Sequence, residues 1–455
     1  MTGADLNGAE QLSLDAARTY LLSAAQAQGV ALEVYARRTA ATNIEAHTGE
    51  VSEFKVSTQQ GVGLRALVGG AWGYSFTENL SRPALERALR SAVQNAELVA
   101  PEAGAALRAW GTPPSVDTWG EGLSGVTAAQ KVAVALQLEE AARRHDPRVA
   151  SVPYTGYEDS QTETLVGNTE GLRREGRALH ALTYAYPLAR EGSENRMSGD
   201  WQFTRDFAGL DPTQTALTAA QKSLALLGAR PAPTGTFPAV ITGECLADLL
   251  RLFASMFSGR MVEEGKSPLA GRLGEVVASD LVTLVDDATL PLGLRSRAFD
   301  AEGCPSAPLT LLEGGRLKAF MHNAQTAARA GLDSTGHAAR LGYQGVVGVG
   351  ASNLAIQPGT TSDEAVAAGV TGLLLTQVKG GHAGADPYTG DFSLQAEGFW
   401  LEDGERAHPL DVFTVAGNIL DLLSQIEALG TTLDWTLEAT GAPAARVPAL
   451  AVAGG

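Results

Sequence analysis

Cysteine is nearly missing from these 455 residues, with Cys245 and Cys304 as the whole complement. Two thiols cannot supply a disulfide framework, their separation fits no zinc knuckle, and both are expected to be reduced. Histidine is also scarce. His47, His145, His180, His322, His337, His382 and His408 include no two that stand four residues apart, which excludes a paired-histidine metal site on one helix face. No Gly-x-Ser-x-Gly elbow occurs to present a serine nucleophile. No apolar run approaches the ~18–20 residues that would span a bilayer, and Met1-Thr2-Gly3-Ala4-Asp5 has neither the basic start nor the apolar stretch of a secretory signal. The expectation is a cytoplasmic protein that does not engage membranes. Positive charge is short as well: 34 Lys and Arg face 51 Asp and Glu, a net charge of −17. Such a surface repels a phosphate backbone, so no direct nucleic-acid partner is expected. The basic pairs Arg37-Arg38, Arg143-Arg144 and Arg173-Arg174 are isolated and read as solvated surface.

What the chain does have is length, glycine and alternation. The length suggests two or three domains, and the fold class is read as α+β. Residues 1–105 open with a helix at Leu14–Gln28, closed by Gly29, and continue with strands at 31–38, 42–47, 51–58, 62–68 and 71–76. Thr48-Gly49 and Gly69-Gly70 mark hairpins, and a second helix follows Ser81. Residues 98–124, with Pro101, Pro113 and Pro114, lack periodicity and read as a linker. Residues 120–230 repeat the scheme, with helices at 127–144 and 213–227 flanking an antiparallel sheet. Residues 235–455 carry short strands between glycine turns and few helices, which predicts a large β-rich, barrel-like domain around a buried helix.

That helix is the segment Glu244–Phe257, with Leu246, Leu249, Leu250, Phe253 and Phe257 at three- and four-residue steps. Gly265-Lys266-Ser267-Pro268 and Gly271-Arg272-Leu273-Gly274-Glu275 follow it. Together with Gly61-Val62-Gly63-Leu64-Arg65, Gly70-Ala71-Trp72-Gly73, Phe299-Asp300-Ala301-Glu302-Gly303, Ser334-Thr335-Gly336-His337-Ala338, Gly390-Asp391-Phe392-Ser393 and Glu397-Gly398-Phe399-Trp400, in this order, the chain resembles the TldD/PmbA family ("modulator of DNA gyrase") over nearly its whole length. Within the family it is most similar to the PmbA/TldE-like branch. The resemblance implies a two-subunit cytosolic protease that processes unfolded peptides, in which a TldD-like subunit holds a zinc-type metal through a His-Glu-x-x-x-His helix and a distant cysteine. Aligned without gaps from Gly274-Glu275, the motif falls on residues 250–255 here, so Leu250 and Ser255 stand at the histidine positions and Arg251 at the glutamate position. No cysteine follows Cys304. The resemblance therefore implies that this chain binds no metal, carries no catalytic residue, and pairs with the metal-bearing subunit. A homodimeric peptide-binding scaffold is the alternative.

Other motifs compete for a role. Gly259–Ser267 looks like a phosphate loop but has five residues between its glycines and follows a helix, which spoils the cradle. Ser255, four residues after Arg251, would be a nucleophile only with a base, and an arginine that never deprotonates is a poor one. A site assembled from His337, His382 and Asp386 stays open. The segment around Lys379, Gly380, Gly381, His382, Asp386 and Asp391 is the candidate peptide channel or subunit interface, because adjacent glycines allow close backbone approach and a strand beside them can pair with an extended peptide.

Overall fold

The structure, a computed structural model, describes residues 10–454. Four long strands set its scale: β1 (Ala31–His47), β2 (Glu50–Val68), β4 (Val149–Asn168) and β5 (Arg173–Glu191), at 17, 19, 20 and 19 residues. At about 3.3 Å per residue each runs roughly 60 Å. With β3 (Ala71–Thr77), β6 (Glu194–Met197) and β7 (Asp200–Thr204) they form one seven-stranded sheet ordered β3-β2-β1-β4-β5-β6, β7 also pairing with β5. The antiparallel register of β1 on β4 crosses the 98–124 segment, so the two N-terminal regions share one sheet.

The strand pairs expected at 31–38/42–47 and 51–58/62–68 are continuous strands. Thr39-Ala40-Ala41 and Gln59-Gln60-Gly61 contain no proline, and every residue keeps its cross-strand partner. Turn chemistry is as read: Thr48 (φ 54°) and Gly49 (φ 81°) close one hairpin, and Gly69 (φ 58°) and Gly70 (φ 84°) the next.

Helices cover only one face of the sheet. Leu14–Ala27 and Arg82–Glu97 pack on one half through Leu21, Leu85 and Leu89, against Leu32, Val34 and Ala36. Ala128–His145 and Pro212–Ala225 pack on the other through Leu138, Ala142 and Ala219, against Ile44, Tyr157 and Ala181. Because strand side chains alternate, Tyr35 and Arg37 point to the uncovered face.

The third region opens with β8 (Gly235–Ile241), the helix Gly243–Phe253 and the 3₁₀ turn Ala254–Phe257. Short strands follow: β9 (Leu284–Asp286), β10 (Leu309–Glu313), β11 (Arg316–Leu317), β12 (Ala338–Ala339), β13 (Gly348–Val349) and β14 (Leu354–Ile356). The chain ends with β15 (Gly372–Lys379), β16 (Asp391–Glu402), β17 (Glu405–Asn418), β18 (Ala428–Leu429), β19 (Asp434–Trp435), β20 (Thr440–Ala442) and β21 (Ala445–Ala453). Strands β17-β16-β15-β8-β21 close through a β17–β21 pairing into a five-stranded barrel. A second sheet, β11-β10-β9-β14-β20-β19, lies beside it. Between them sits the helix Gly243–Phe253, whose Cys245, Leu246, Leu249, Leu250 and Phe253 join one core with Leu375 and Val415 of the barrel and Leu284 and Ile356 of the sheet. The expected β-rich domain around a buried helix is present. Among the described residues no helix is long and apolar enough to cross a membrane.

Candidate functional site

Thr242 caps the buried helix, its Oγ1 accepting from the Cys245 amide at 3.4 Å. The expected single helix to Phe257 is shorter: it tightens into 3₁₀ geometry after Phe253, because the chain must turn to bring Phe257 and Gly259 onto Met321. The Met321 amide donates to the Phe257 carbonyl at 2.8 Å, and the Gly259 amide donates back to Met321 at 2.8 Å.

The three positions of the ligand motif therefore part company. Leu250 is 1% exposed and belongs to the core. Arg251 is half-buried at the helix surface, its Nε 3.5 Å from Asp248 and 3.8 Å from Glu438. Ser255 is exposed on the 3₁₀ turn. A zinc-type ion takes nitrogen, thiolate or carboxylate donors; a leucine, a cation and a neutral hydroxyl do not fit one. Among the described residues no group of three or more His, Cys, Asp or Glu is placed to hold a metal ion. Both thiols are inert as nucleophiles: burial raises Cys245 well above the ordinary thiol range, and burial with Asp300 nearby pushes Cys304 up to about 12.

The structure does not bring His337, His382 and Asp386 together. His337 is 2% exposed, with Nε2 3.0 Å from Asp286 Oδ1 and Nδ1 2.8 Å from Thr335 Oγ1, so both ring nitrogens are engaged. Burial pushes the Asp286 carboxyl up, but His337 and the Ser352 hydroxyl and amide outweigh it and hold Asp286 below the usual range. His382 and Asp386 are exposed elsewhere. Nor does Gly259–Ser267 form an anion cradle: Gly259–Glu263 is a short helix, Glu264 pairs with Arg260 and Lys266, and Ser267 Oγ donates to the Met256 carbonyl at 2.6 Å.

The Lys379–Asp391 segment is a compact turn at the barrel rim. Lys379 pairs with Glu397 at 2.5 Å, Gly380 takes the left-handed conformation (φ 75°), and Gly381–Gly384 forms one helical turn. Asp386 accepts from the Tyr388 amide at 2.9 Å, and Asp391 accepts from Asn418 Nδ2 at 2.9 Å. A Cβ on Gly381 would meet Leu252 at 2.5 Å, which places this turn directly against the altered helix. The strand beside it is no open edge at Leu373–Leu375, where β8 and β16 flank it; Gly372 and Gln377–Lys379 pair on the β16 side alone.

A wide concavity lies elsewhere. A cleft of about 1360 Å³ separates the uncovered sheet face from the third region. One wall is Tyr35 and Arg37 of β1, Thr162 and Thr164 of β4, and Gly176 and Ala178 of β5. The facing wall is built by residues 295–301 and 338–341, with 348–352 behind, and the altered helix contributes Arg251, Ala254 and Ser255. Phe299 approaches the sheet over Gly176, where a Cβ would stand 3.2 Å from its ring. Ser115–Trp119 forms the rim, so this part of the expected linker is a wall: Trp119 bridges to Leu179, and the Arg177 guanidinium stacks 4.4 Å over its ring. Sequence reasoning missed the cleft arginines Arg177, Arg295, Arg297 and Arg340, and Arg37, expected as solvated surface, is half-buried beside them; the five come from four separate segments. The one available signal was Arg295-Ser296-Arg297, a basic step in an acidic chain.

Three consecutive family models fit this architecture: PmbA/TldA metallopeptidase domain 1 over residues 32–96, the central domain over 121–227, and the C-terminal domain over 234–454. Fold and family models together define the class, a chain built on a three-part metallopeptidase architecture. A Haemophilus influenzae protein named Metalloprotease PmbA homolog is 25% identical over 439 residues, covering 94% of this chain and 93% of the relative. The crystal structure of a Thermotoga maritima protein described as a modulator of a DNA gyrase superposes with a TM-score of 0.89 at 30% identity, covering 97% of this chain and 100% of that one. TldE from Thermococcus kodakarensis superposes at 0.88 with 25% identity, covering 96% and 100%. The chain belongs to the PmbA/TldD family.

Proposed function

We propose that this chain is the non-metal-binding subunit of a TldD/TldE-type peptidase complex, and that it shapes the chamber in which a metal-bearing TldD-like partner cleaves unfolded peptides. The observation that carries the reading is the altered helix. Its place in the fold is kept against the cleft, while Leu250 has turned into the core and Arg251 is tied to carboxylates. An arginine cation at that point would repel a divalent ion. The resemblance to the Thermococcus kodakarensis TldE structure supports the same branch. On this reading the cleft receives substrate, and the turn from Lys379 to Asp391, packed on Leu252 outside the cleft, contacts the partner.

The test is hydrolysis of an unstructured peptide by this chain alone, by a TldD-like subunit from the same organism alone, and by the two mixed, each with and without chelator. Cleavage is expected only in the mixture, and chelator abolishes it. Cleavage by the chain alone, or by the partner equally well without it, overturns the reading.

A further inference from the structure

The chain carries a net charge of −17, yet six arginines line the cleft against four carboxylate side chains. The local excess of cations is opposite in sign to the rest of the molecule. The arginines are also unequally occupied. Arg251 and Arg340 are held by Asp248, Glu438 and Glu33, and Arg177 stacks on Trp119 with Glu121 at 3.8 Å. Arg37 and Arg297 make no ion pair among the described residues, although Arg297 lies within electrostatic reach of the buried Asp300; the Nε of each is buried without a hydrogen-bond partner, as is that of Arg340. Arg297 donates only from Nη2 to the Gly336 carbonyl, at 3.3 Å. Arg295 is exposed, and its guanidinium makes no ion pair among the described residues.

Arg37 on one wall and Arg295 and Arg297 on the other are the cleft arginines without an ion pair among the described residues. Arg37 stands on β1 opposite Thr164, which stands opposite Gly176 on β5, so the three residues form one row over three strands, about 10 Å wide at ~4.8 Å per strand. Phe299 of the other wall rests on the Gly176 end of that row, two residues from Arg297 and four from Arg295. Such a gap fits an extended peptide. A half-buried guanidinium with unmade hydrogen bonds gains most from a carboxylate, which accepts in bidentate fashion and neutralises the charge.

We propose that the cleft selects acidic segments of unfolded peptides, with Arg37 on one wall and Arg295 and Arg297 on the other as the specificity-determining residues. This rests on the reading of the cleft as the substrate chamber. The occupant is a peptide rather than a nucleic acid, because Asp117, Glu175 and Glu438 also line the cleft and would oppose a phosphate on every unit, whereas spaced peptide carboxylates can meet the arginines and avoid them. The long-range field works in the same sense: an acidic protein surface turns acidic peptides away except where the cleft reverses the sign.

The test is fluorescence anisotropy of the full chain with labelled unstructured peptides of equal length, one acidic, one neutral and one basic, and with a single-stranded oligonucleotide as competitor. The acidic peptide is expected to bind tightest and the basic one weakest. Arg37→Gln and Arg295→Gln are each expected to weaken the acidic peptide about tenfold, the scale of one lost charge-assisted contact, while leaving the neutral peptide unchanged. Arg295 is at the surface, so its variant keeps the fold even if Arg37→Gln does not. Equal affinity for the acidic and neutral peptides, an unchanged preference in both variants, or preferential displacement by the oligonucleotide overturns the proposal. Equal binding of all peptides leaves the substrate-chamber reading standing. Binding of none overturns both. Loss of hydrolysis in the subunit mixture would overturn the subunit role without touching the charge preference.

Discussion

The junction between the sheet and the third region holds a buried ionic cluster, and removing its central cation has a calculable cost. Arg65 on β2 is 3% exposed, donates to Glu33 Oε2 at 2.9 Å and Glu302 Oε1 at 2.7 Å, and lies 4.2 Å over the Trp72 ring. Burial alone would favour loss of its charge, but Glu33 and Glu302 outweigh burial and hold the guanidinium above its ordinary range. In Arg65→Met, Glu33 keeps Arg340 but Glu302 keeps only the Ala324 amide, at 2.8 Å. One buried carboxylate is then uncompensated, which costs about 3–5 kcal/mol at neutral pH. Urea unfolding followed by tryptophan fluorescence should show a fall in unfolding free energy of that size, seen as a lower midpoint at unchanged slope. Arg65→Met combined with Glu302→Gln should recover most of the stability, since two neutral groups replace a broken pair. A loss below about 1 kcal/mol, or no recovery in the double variant, would refute the claim that this pair is buried and coupled.

Two further outcomes follow from burial. Phe253, fully buried at the end of the altered helix and 6.3 Å from Phe392 between ring centroids, should cost about 3–5 kcal/mol as Phe253→Ala; a loss under 1 kcal/mol in thermal unfolding would show that the helix is not packed as described. His180, whose imidazole burial and the nearby Arg205 push down to about 4, should remain neutral in an NMR titration until well below pH 6, and a midpoint near the ordinary histidine value would contradict its environment. Its folded-state pKa is lowered, so its contribution to stability is present above the ordinary value and is lost as pH falls towards 4.

How much of this was legible beforehand depended on the range of the interactions involved. Hairpins written in local turn chemistry, such as Thr48-Gly49 and Gly69-Gly70, were readable because a positive φ is a property of one or two residues. The helix capped by Thr242 was readable from its apolar period, but its 3₁₀ ending was not, since contacts with Met321, more than sixty residues away, impose it. The join of β1 to β4 was hidden for the same reason: residues more than 100 positions apart pair there. At the site, Leu250, Arg251 and Ser255 could be singled out from the sequence, but not that the first lies in the core and the other two at a cleft. The cleft could not, because Arg37, Trp119, Arg177 and Arg297 meet only when three regions pack, and no spacing in the chain announces them.

The closure of the barrel sets an order on biosynthesis. Its first stave, β8, is made at Gly235–Ile241, but one of its two neighbours, β21, is Ala445–Ala453. A growing chain can complete the seven-stranded sheet and its four helices from residues up to about 225, while β8 and the apolar helix after it wait with one side unpaired until more than two hundred further residues have been translated. Non-local pairing of this kind is slow, and unfinished strand edges invite aggregation. The ribosome-bound intermediate with Leu246, Leu249 and Phe253 uncovered is therefore the stage at which this protein most needs a chaperone, and truncations that remove β21 should yield insoluble chains rather than shorter folded ones.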